Sequence, residues 1–354
     1  MIAMPEIAVQ QTKQSKLPGV TLQNIPFGRV FTDHMLVAEY ADGQWQQASI
    51  MPYQPLMVDP SNAAWHYGQA IFEGIKAYRQ PNGEVAIFRP YDNWLRFNRS
   101  AERMMMPPVP EEIFIEGLRQ LIALDKDWVP EGQDHSLYIR PFMIATDDAI
   151  GVRPSNRYKF IIILSPTGPY FAAPMRIYVE EQYVRAAPGG TGFAKAAGNY
   201  AGSMYPAEMA RRKGYDQVLW TDANEHKYVQ EIGVMNVFFA LGSRILTPSL
   251  DDGTILAGVT RQSAITLLTH MGYQVEERNI SIDEIVEAYQ AGQLTEVFGA
   301  GTAATIAIIK ELGYRDITMQ FNIEAYTTAP ALKARLSAIR EGLEPDAFGW
   351  MLPV

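Results

Sequence analysis

Alternating and continuous apolar runs divide the chain into strand-like and helix-like stretches. Residues 35–40 and 45–50 flank Asp42-Gly43, and residues 76–79 and 84–88 flank Pro81-Asn82-Gly83, so both pairs predict β-hairpins. Apolar positions three and four apart predict helices over 91–105 and 111–125, after which strands resume at 137–144 and 158–164. Further on, the pattern predicts strands at 175–180, 217–221, 234–241 and about 295–298. Helices are expected over 199–213, 260–271 and 330–340, with another starting near Thr302. The first 25 or so residues are polar and aperiodic and predict a flexible or loosely docked arm.

This mixture of hairpins and helices, without a regular βαβ repeat, predicts a mixed α/β (α+β) architecture of two domains. The stretch Ser165-Pro-Thr-Gly-Pro-Tyr-Phe-Ala-Ala-Pro174 is dense in proline and glycine between two apolar strands. It places a smaller N-terminal domain at 1–165, a linker at 166–174 and a larger C-terminal domain at 175–354. At 354 residues the chain is long enough for two well-formed cores.

Composition narrows the partners. With 47% hydrophobic and 19% charged residues the chain has the make-up of a folded globular protein. Its 30 basic against 39 acidic residues, a net charge of −9, oppose non-specific binding to nucleic acid or an anionic membrane and favour a small ligand. The absence of cysteine excludes disulfides, thiolate metal sites and a cysteine nucleophile. No long apolar core follows a basic start near Met1, and no run approaches the roughly 20 apolar residues of a membrane span, so cytoplasmic residence is the expectation.

One lysine stands out. Gly189-Gly-Thr-Gly-Phe-Ala-Lys195-Ala-Ala-Gly-Asn-Tyr200 sets Lys195 among small residues, where a planar cofactor meets little side-chain bulk. A lysine must be neutral to attack an aldehyde, and partial burial away from anions favours that form. Taken alone, the segment more readily describes a lysine on a surface loop. A phosphate P-loop is excluded, because Ala194 and Ala196 stand where glycine and serine or threonine are required.

Leu256-Ala-Gly-Val-Thr-Arg261 and Phe298-Gly-Ala-Gly-Thr302-Ala303 are two segments able to cradle a phosphate with backbone N–H groups, or simply to make an N-cap or tight turn. Glu231 is an acid among apolar residues, suited to a protonated pyridine nitrogen or to a strand end. Arg96 is a phosphate partner or a solvated helix-face arginine. Tyr138 and Arg140 share one strand face. None of the five histidines makes a metal-ligating spacing, so no metal site is expected, and His34 beside Asp33 reads as packed rather than as a general base.

Taken in order, these segments resemble the class IV aminotransferases, and most closely the branched-chain amino acid aminotransferases of the mammalian and mycobacterial type. The resemblance runs from Phe27-Gly-Arg-Val-Phe-Thr-Asp-His-Met35 through His66-Tyr67, Phe72-Glu-Gly74, Leu137-Tyr-Ile-Arg-Pro141 and Gly198-Asn-Tyr200. It continues through Gln217-Val-Leu-Trp220, Gly258-Val-Thr-Arg261 and Val297-Phe-Gly-Ala-Gly-Thr-Ala303 to Trp350-Met-Leu-Pro-Val354.

The resemblance implies the pyridoxal 5′-phosphate (PLP) fold type IV, two domains with the cofactor at their interface, and a homodimer. It implies transfer of the amino group of leucine, isoleucine or valine to 2-oxoglutarate, by a ping-pong mechanism. Lys195 corresponds to the Schiff-base lysine and proton carrier, Tyr200 to the phenol at the cofactor's ring oxygen, and Glu231 to the partner of its ring nitrogen. Arg96, Val259, Thr260 and Thr302 correspond to the phosphate cup, and Leu256, Gly258 and Gly301 to further cofactor-binding positions. Phe27, Tyr67, Phe72, Tyr138 and Arg140 correspond to the substrate pocket, with Thr302 and Ala303 at the α-carboxylate and Ile150 and Val152 contributed by the partner subunit. Two departures stand out: Val234 where mammalian relatives have threonine, and Ala304 in the region of their redox cysteines, which excludes that thiol regulation.

Overall fold

The computed structural model describes residues 6–22, 25–168 and 173–354. The chain forms two compact units. One comprises Met1–Tyr170, Ala194–Ala197 and Ala338–Val354, the other Phe171–Phe193 and Gly198–Ser337. Of the linker expected at 166–174, residues 166 and 167 continue the strand Tyr158–Thr167, and residues 169–172 lie outside the described residues.

The first unit is a ten-stranded sheet, antiparallel in all but one pairing. Its centre is the long pair Ser136–Ala145 and Tyr158–Thr167, flanked by His34–Ala41 on one side and Ile75–Arg79 and Val85–Phe88 on the other. The hairpin around Pro81-Asn82-Gly83 forms as predicted, with Gly83 at φ +83°. The one around Asp42-Gly43 forms too, but its second strand divides into Gln44–Trp45 and Ser49–Pro52, both paired to His34–Ala41.

Helix Pro90–Arg103 lies within the predicted 91–105 apart from its first residue. The predicted helix over 111–125 opens with a π-helical turn, Glu112–Glu116, before the α-helix Gly117–Leu124. Phe97, Phe114 and Phe160 join these helices to the sheet through ring centroids 5.4–5.6 Å apart, in a core containing Leu36, Ile139 and Leu164. Ala194 and Ala196 belong to the same core, and Ala196 bridges to Ile71 in the strand Ala70–Phe72.

The N-terminal arm is docked. Ala8–Val9 adds a parallel strand to Ser49–Pro52, and the Thr12 N–H donates to His34 Nε2 at 2.9 Å. The other ring nitrogen of His34 lies 2.6 Å from Asp125, so this histidine is a hydrogen-bonded structural residue. Asp33 holds the next turn of the arm: it accepts from Ser15 Oγ at 2.5 Å, Lys16 N at 2.8 Å and Trp128 Nε1 at 2.9 Å.

The second unit is a nine-stranded sheet. Its path runs Val229–Ile232, Gln217–Thr221, Met175–Val179, Thr305–Tyr314, Glu296–Gly301, Met235–Leu241, and the first of these strands also pairs with the last, closing a ring of six. The helices Val259–His270 and Ile282–Gln290, and Thr328–Arg340 as far as Ser337, belong to this unit. The expected helix from Thr302 is absent. Residues 302–304 make a three-residue turn, and Thr305–Tyr314 returns antiparallel to Glu296–Gly301. Thr302-Ala-Ala-Thr305 has helix-like composition, but the following Ile306-Ala-Ile-Ile309 is a short apolar run whose periodicity suits helix and strand equally. Pairing on both edges, to Glu296–Gly301 and to Met175–Val179, decides for strand.

Candidate active site

The first unit joins five of the anticipated residues in one contact chain. The rings of Phe27 and Tyr138 meet edge to face at 4.8 Å. The Tyr138 hydroxyl accepts from Arg140 Nη2 at 2.9 Å, as their placement two apart on the strand Ser136–Ala145 allows. The Arg140 guanidinium lies 4.7 Å from the Phe72 ring centroid, and Lys195 Nζ lies 4.9 Å from the same ring. Gly74 makes room for this cluster, since a Cβ there would overlap the Tyr138 hydroxyl. The result is an aromatic wall with one arginine, set against a half-buried lysine amine.

Lys195 is fixed by its backbone. Its N–H donates to Ser100 Oγ at 2.9 Å, and its carbonyl accepts from the Phe72 N–H at 3.1 Å. Ser100 lies one turn beyond Arg96 and donates to the Arg96 carbonyl at 3.0 Å, so one face of Pro90–Arg103 carries both. Arg96 itself is buried and forked onto buried Glu73, with Nε–Oε1 at 2.7 Å and Nη2–Oε2 at 2.8 Å. Sequence reasoning missed Glu73 as its partner, although Glu73 lies beside Phe72 in the recognised Phe72-Glu-Gly74 motif.

Three anticipated pocket residues stand apart from the chain of contacts. Tyr67, ending the short helix Ala63–Tyr67, is 41% exposed and neighbours His66. Ile150 and Val152 are 69% and 90% exposed, in the loop between the two longest strands of the sheet.

The second unit gathers the acid and the phosphate segments. Glu231 sits within the strand Val229–Ile232, where its neighbour across the hairpin is Asn236, and Asn236 in turn opposes Ala300. Register thus aligns Glu231, Asn236 and Ala300 across three strands, one residue before Gly301 and the turn that holds Thr302 and Ala303. The Glu231 carboxylate is 3% exposed and accepts at Oε1 from Asn236 Nδ2 and the Leu256 N–H, each at 3.1 Å. At Oε2 it meets Arg185 Nε at 2.7 Å. Asn236 also donates to the Leu256 carbonyl at 3.0 Å. Arg185 and Asn236 carried no signal of their own in the sequence.

Helix Val259–His270 begins immediately after Leu256 and Gly258, with no side-chain cap at Gly258. A Cβ on Gly258 would collide with Asn236 Oδ1, so glycine is required where the loop passes over the Glu231 network. The Thr302 segment opens no helix and presents turn backbone instead, closed by Thr305 at φ +61°. That conformation is costly for a β-branched residue and occurs where surrounding structure enforces it. Tyr200 lies in the first turn of Ala197–Arg212, half-buried, and Asn199 beside it bonds twice to Thr191, at 2.7 and 2.8 Å.

These donor sets fit pyridoxal 5′-phosphate. A buried carboxylate held by Asn236, the Leu256 N–H and Arg185 suits a protonated ring nitrogen. An uncapped helix start of eight or more residues suits a phosphate, and a half-buried lysine between Ala194 and Ala196 suits an aldehyde. Among the described residues, no group of three or more His, Cys, Asp or Glu is placed to hold a metal ion. Nor, among them, is any helix long and apolar enough to cross a membrane.

Comparison with known proteins agrees with this chemistry. Residues 70–312 match the family described as amino-transferase class IV. Branched-chain-amino-acid aminotransferase 2 of Bacillus subtilis (strain 168) is 48% identical over 353 residues, covering 98% of this chain and 97% of that one. The solved branched-chain aminotransferase of Thermoproteus uzoniensis, crystallised with norvaline, superposes with a TM-score of 0.74 at 26% identity over 90% of this chain and 99% of that one. The solved branched-chain amino acid aminotransferase from Escherichia coli gives a TM-score of 0.73 at 25% identity, covering 90% and 98%. Another solved branched-chain amino acid aminotransferase, similar to this chain at a TM-score of 0.72 and 25% identity, is complexed with N-(5′-phosphopyridoxyl)-L-glutamate. With a family match over most of its length and a buried carboxylate and a lysine suited to the cofactor, this chain belongs to the PLP-dependent class IV aminotransferases.

Proposed function

We propose that the enzyme transfers the amino group of L-leucine, L-isoleucine or L-valine to 2-oxoglutarate, and the reverse, as a cytoplasmic homodimer. The observation that carries this reading is the aromatic wall of Phe27, Phe72 and Tyr138 against the Lys195 amine. An apolar branched side chain gains about 0.8 kcal/mol for each CH2 it buries on such a wall. A charged side chain gains nothing from the rings themselves and depends on Arg140. The names of the relatives support the same substrate class.

PLP, when bound, supplies the electron sink that makes the amino acid's Cα–H acidic. Lys195 Nζ would be its covalent anchor and, as a free amine, the base that takes the proton from the amino acid's Cα and hands it on to the cofactor's C4′. Glu231 holds the ring nitrogen's proton, and Tyr200 hydrogen-bonds the ring oxygen. Arg96, oriented by Glu73, serves the phosphate with the backbone at Leu256, Gly258, Val259 and Thr260, and at Gly301 and Thr302. Thr302 and Ala303 receive the α-carboxylate. Arg140, anchored by Tyr138, meets the second carboxylate of glutamate or 2-oxoglutarate. Tyr67 closes the pocket. Ile150 and Val152, apolar yet 69% and 90% exposed, supply part of it to the partner subunit.

A spectrophotometric screen of amino donors with 2-oxoglutarate tests this reading. Leucine, isoleucine and valine are expected to react and aspartate to be inert. Turnover of none of the three branched donors by cofactor-loaded protein overturns it.

A further inference from the structure

The structure assigns to Arg185 a positioning role: it holds the Glu231 carboxylate charged and turned, and ties it to the loops on either side. This rests on the assignment of Glu231 to the cofactor's ring nitrogen. Three observations converge on it. Arg185 Nε lies 2.7 Å from Glu231 Oε2, and the side chains are only 7% and 3% exposed. Nη1 donates to the Thr254 carbonyl at 2.8 Å and to the Gly192 carbonyl at 3.4 Å, and Nη2 reaches the Gly192 carbonyl at 3.3 Å. Gly192 is packed so tightly there that a Cβ would overlap both the Thr254 carbonyl oxygen and Ala186 Cβ.

The planar guanidinium is what makes this arrangement work. Its five donors leave in fixed directions, so one edge grips the carboxylate while the others bond two backbone carbonyls. Thr254 leads into Leu256, whose N–H bonds the opposite oxygen of Glu231. Gly192 precedes Lys195 by three residues. A carboxylate buried to this degree without a cation takes up a proton instead of staying charged. Neutral Glu231 would lose its grip on a protonated ring nitrogen. Asn236 and Leu256 orient the carboxylate but carry no charge, so Arg185 supplies what they cannot.

The test compares wild type, Arg185→Gln, Arg185→Lys, Glu231→Gln and the double variant Arg185→Gln/Glu231→Gln, each loaded with PLP. The readouts are the pH midpoint of the cofactor's visible absorbance band, the dissociation constant for PLP and turnover. Arg185→Gln is expected to move the midpoint and lower turnover roughly 10- to 100-fold, the usual range for removing a partner that orients a functional ligand. In the Glu231→Gln background the same change should move the midpoint no further, and Arg185→Lys should restore part of the shift. Where Arg185→Gln does not fold, Arg185→Lys carries the test alone through a midpoint between wild type and Glu231→Gln.

An Arg185→Gln midpoint equal to wild type overturns the inference, as does a shift of the same size in both backgrounds. So does a wild-type midpoint in Arg185→Lys where that variant stands alone. A Glu231→Gln protein indistinguishable from wild type overturns instead the assignment of Glu231, and the inference with it.

Discussion

The two units build their share of the chemistry from different materials. Beside the Lys195 amine the contacts are ring edges, the Tyr138 hydroxyl and cation–π approaches, in a half-buried setting with soft geometry, although the same unit also holds the buried Arg96–Glu73 pair. Around Glu231 they are a buried ion pair and an amide and backbone network with little freedom to relax. Soft apolar contacts tolerate substrates that differ by a methylene, since each methylene changes binding by only about 1–3 kcal/mol. A buried polar network is unforgiving, because removing one member leaves the others unsatisfied. On the proposed assignments, substrate breadth and cofactor chemistry rest on separate kinds of packing.

The contrast is open to direct attack. The largest effect is expected from Lys195→Ala, which removes both anchor and base: transamination should fall by at least about 10⁴-fold, with the visible cofactor band lost. Residual leucine turnover near wild type would refute the assignment. Glu231→Gln should retain PLP through the phosphate contacts yet lose roughly 10²- to 10³-fold in kcat, measured in single-turnover mixing with leucine. On the rigid side, Gly258→Ala forces a methyl into Asn236 Oδ1 and should destabilise the protein by about 1–3 kcal/mol, read by thermal unfolding. On the soft side, Tyr138→Phe removes only the hydroxyl that Arg140 uses, at about 1 kcal/mol. KM for 2-oxoglutarate should rise several-fold while KM for leucine stays put, and equal rises for both would sink the division of labour.

The smallest effect lies outside both groups, in the docked arm. Burial alone would raise the Asp33 carboxyl, but bonds from the Lys16 backbone, the Ser15 hydroxyl and the Trp128 indole outweigh it and hold the group below its ordinary 3.8. A depressed carboxylate stabilises the folded form fully above the ordinary value. That contribution disappears as pH falls through the depressed one. Limited proteolysis of residues 6–22 should therefore be slow near neutrality and accelerate below about pH 4, and Asp33→Asn should show the faster rate already at pH 7.

Periodicity and turn chemistry made most elements readable. The strand Gln217–Thr221 and the helix Val259–His270 follow from local pattern, as does the turn at Gly83. The run after Thr302 was misread because alanine-rich composition and a short apolar stretch do not distinguish helix from strand, and its two neighbouring strands do. The polar arm was unreadable for a related reason: its anchors, Asp33 and His34, lie in a different element.

By itself, the sequence determined many of the elements, the absence of thiol chemistry and, through ordered motifs around Lys195, Gly258 and Thr302, the family. It also marked Lys195, Tyr138 and Arg140 as residues worth following. Only the tertiary structure decided that Arg96 is forked onto Glu73, that Glu231 shares a strand row with Asn236 and Ala300, and that Arg185 grips its carboxylate. The physical reason is range. Helix and strand periodicity is written within a few residues, whereas strand register and the burial that makes a charge need its partner are settled between segments far apart along the chain.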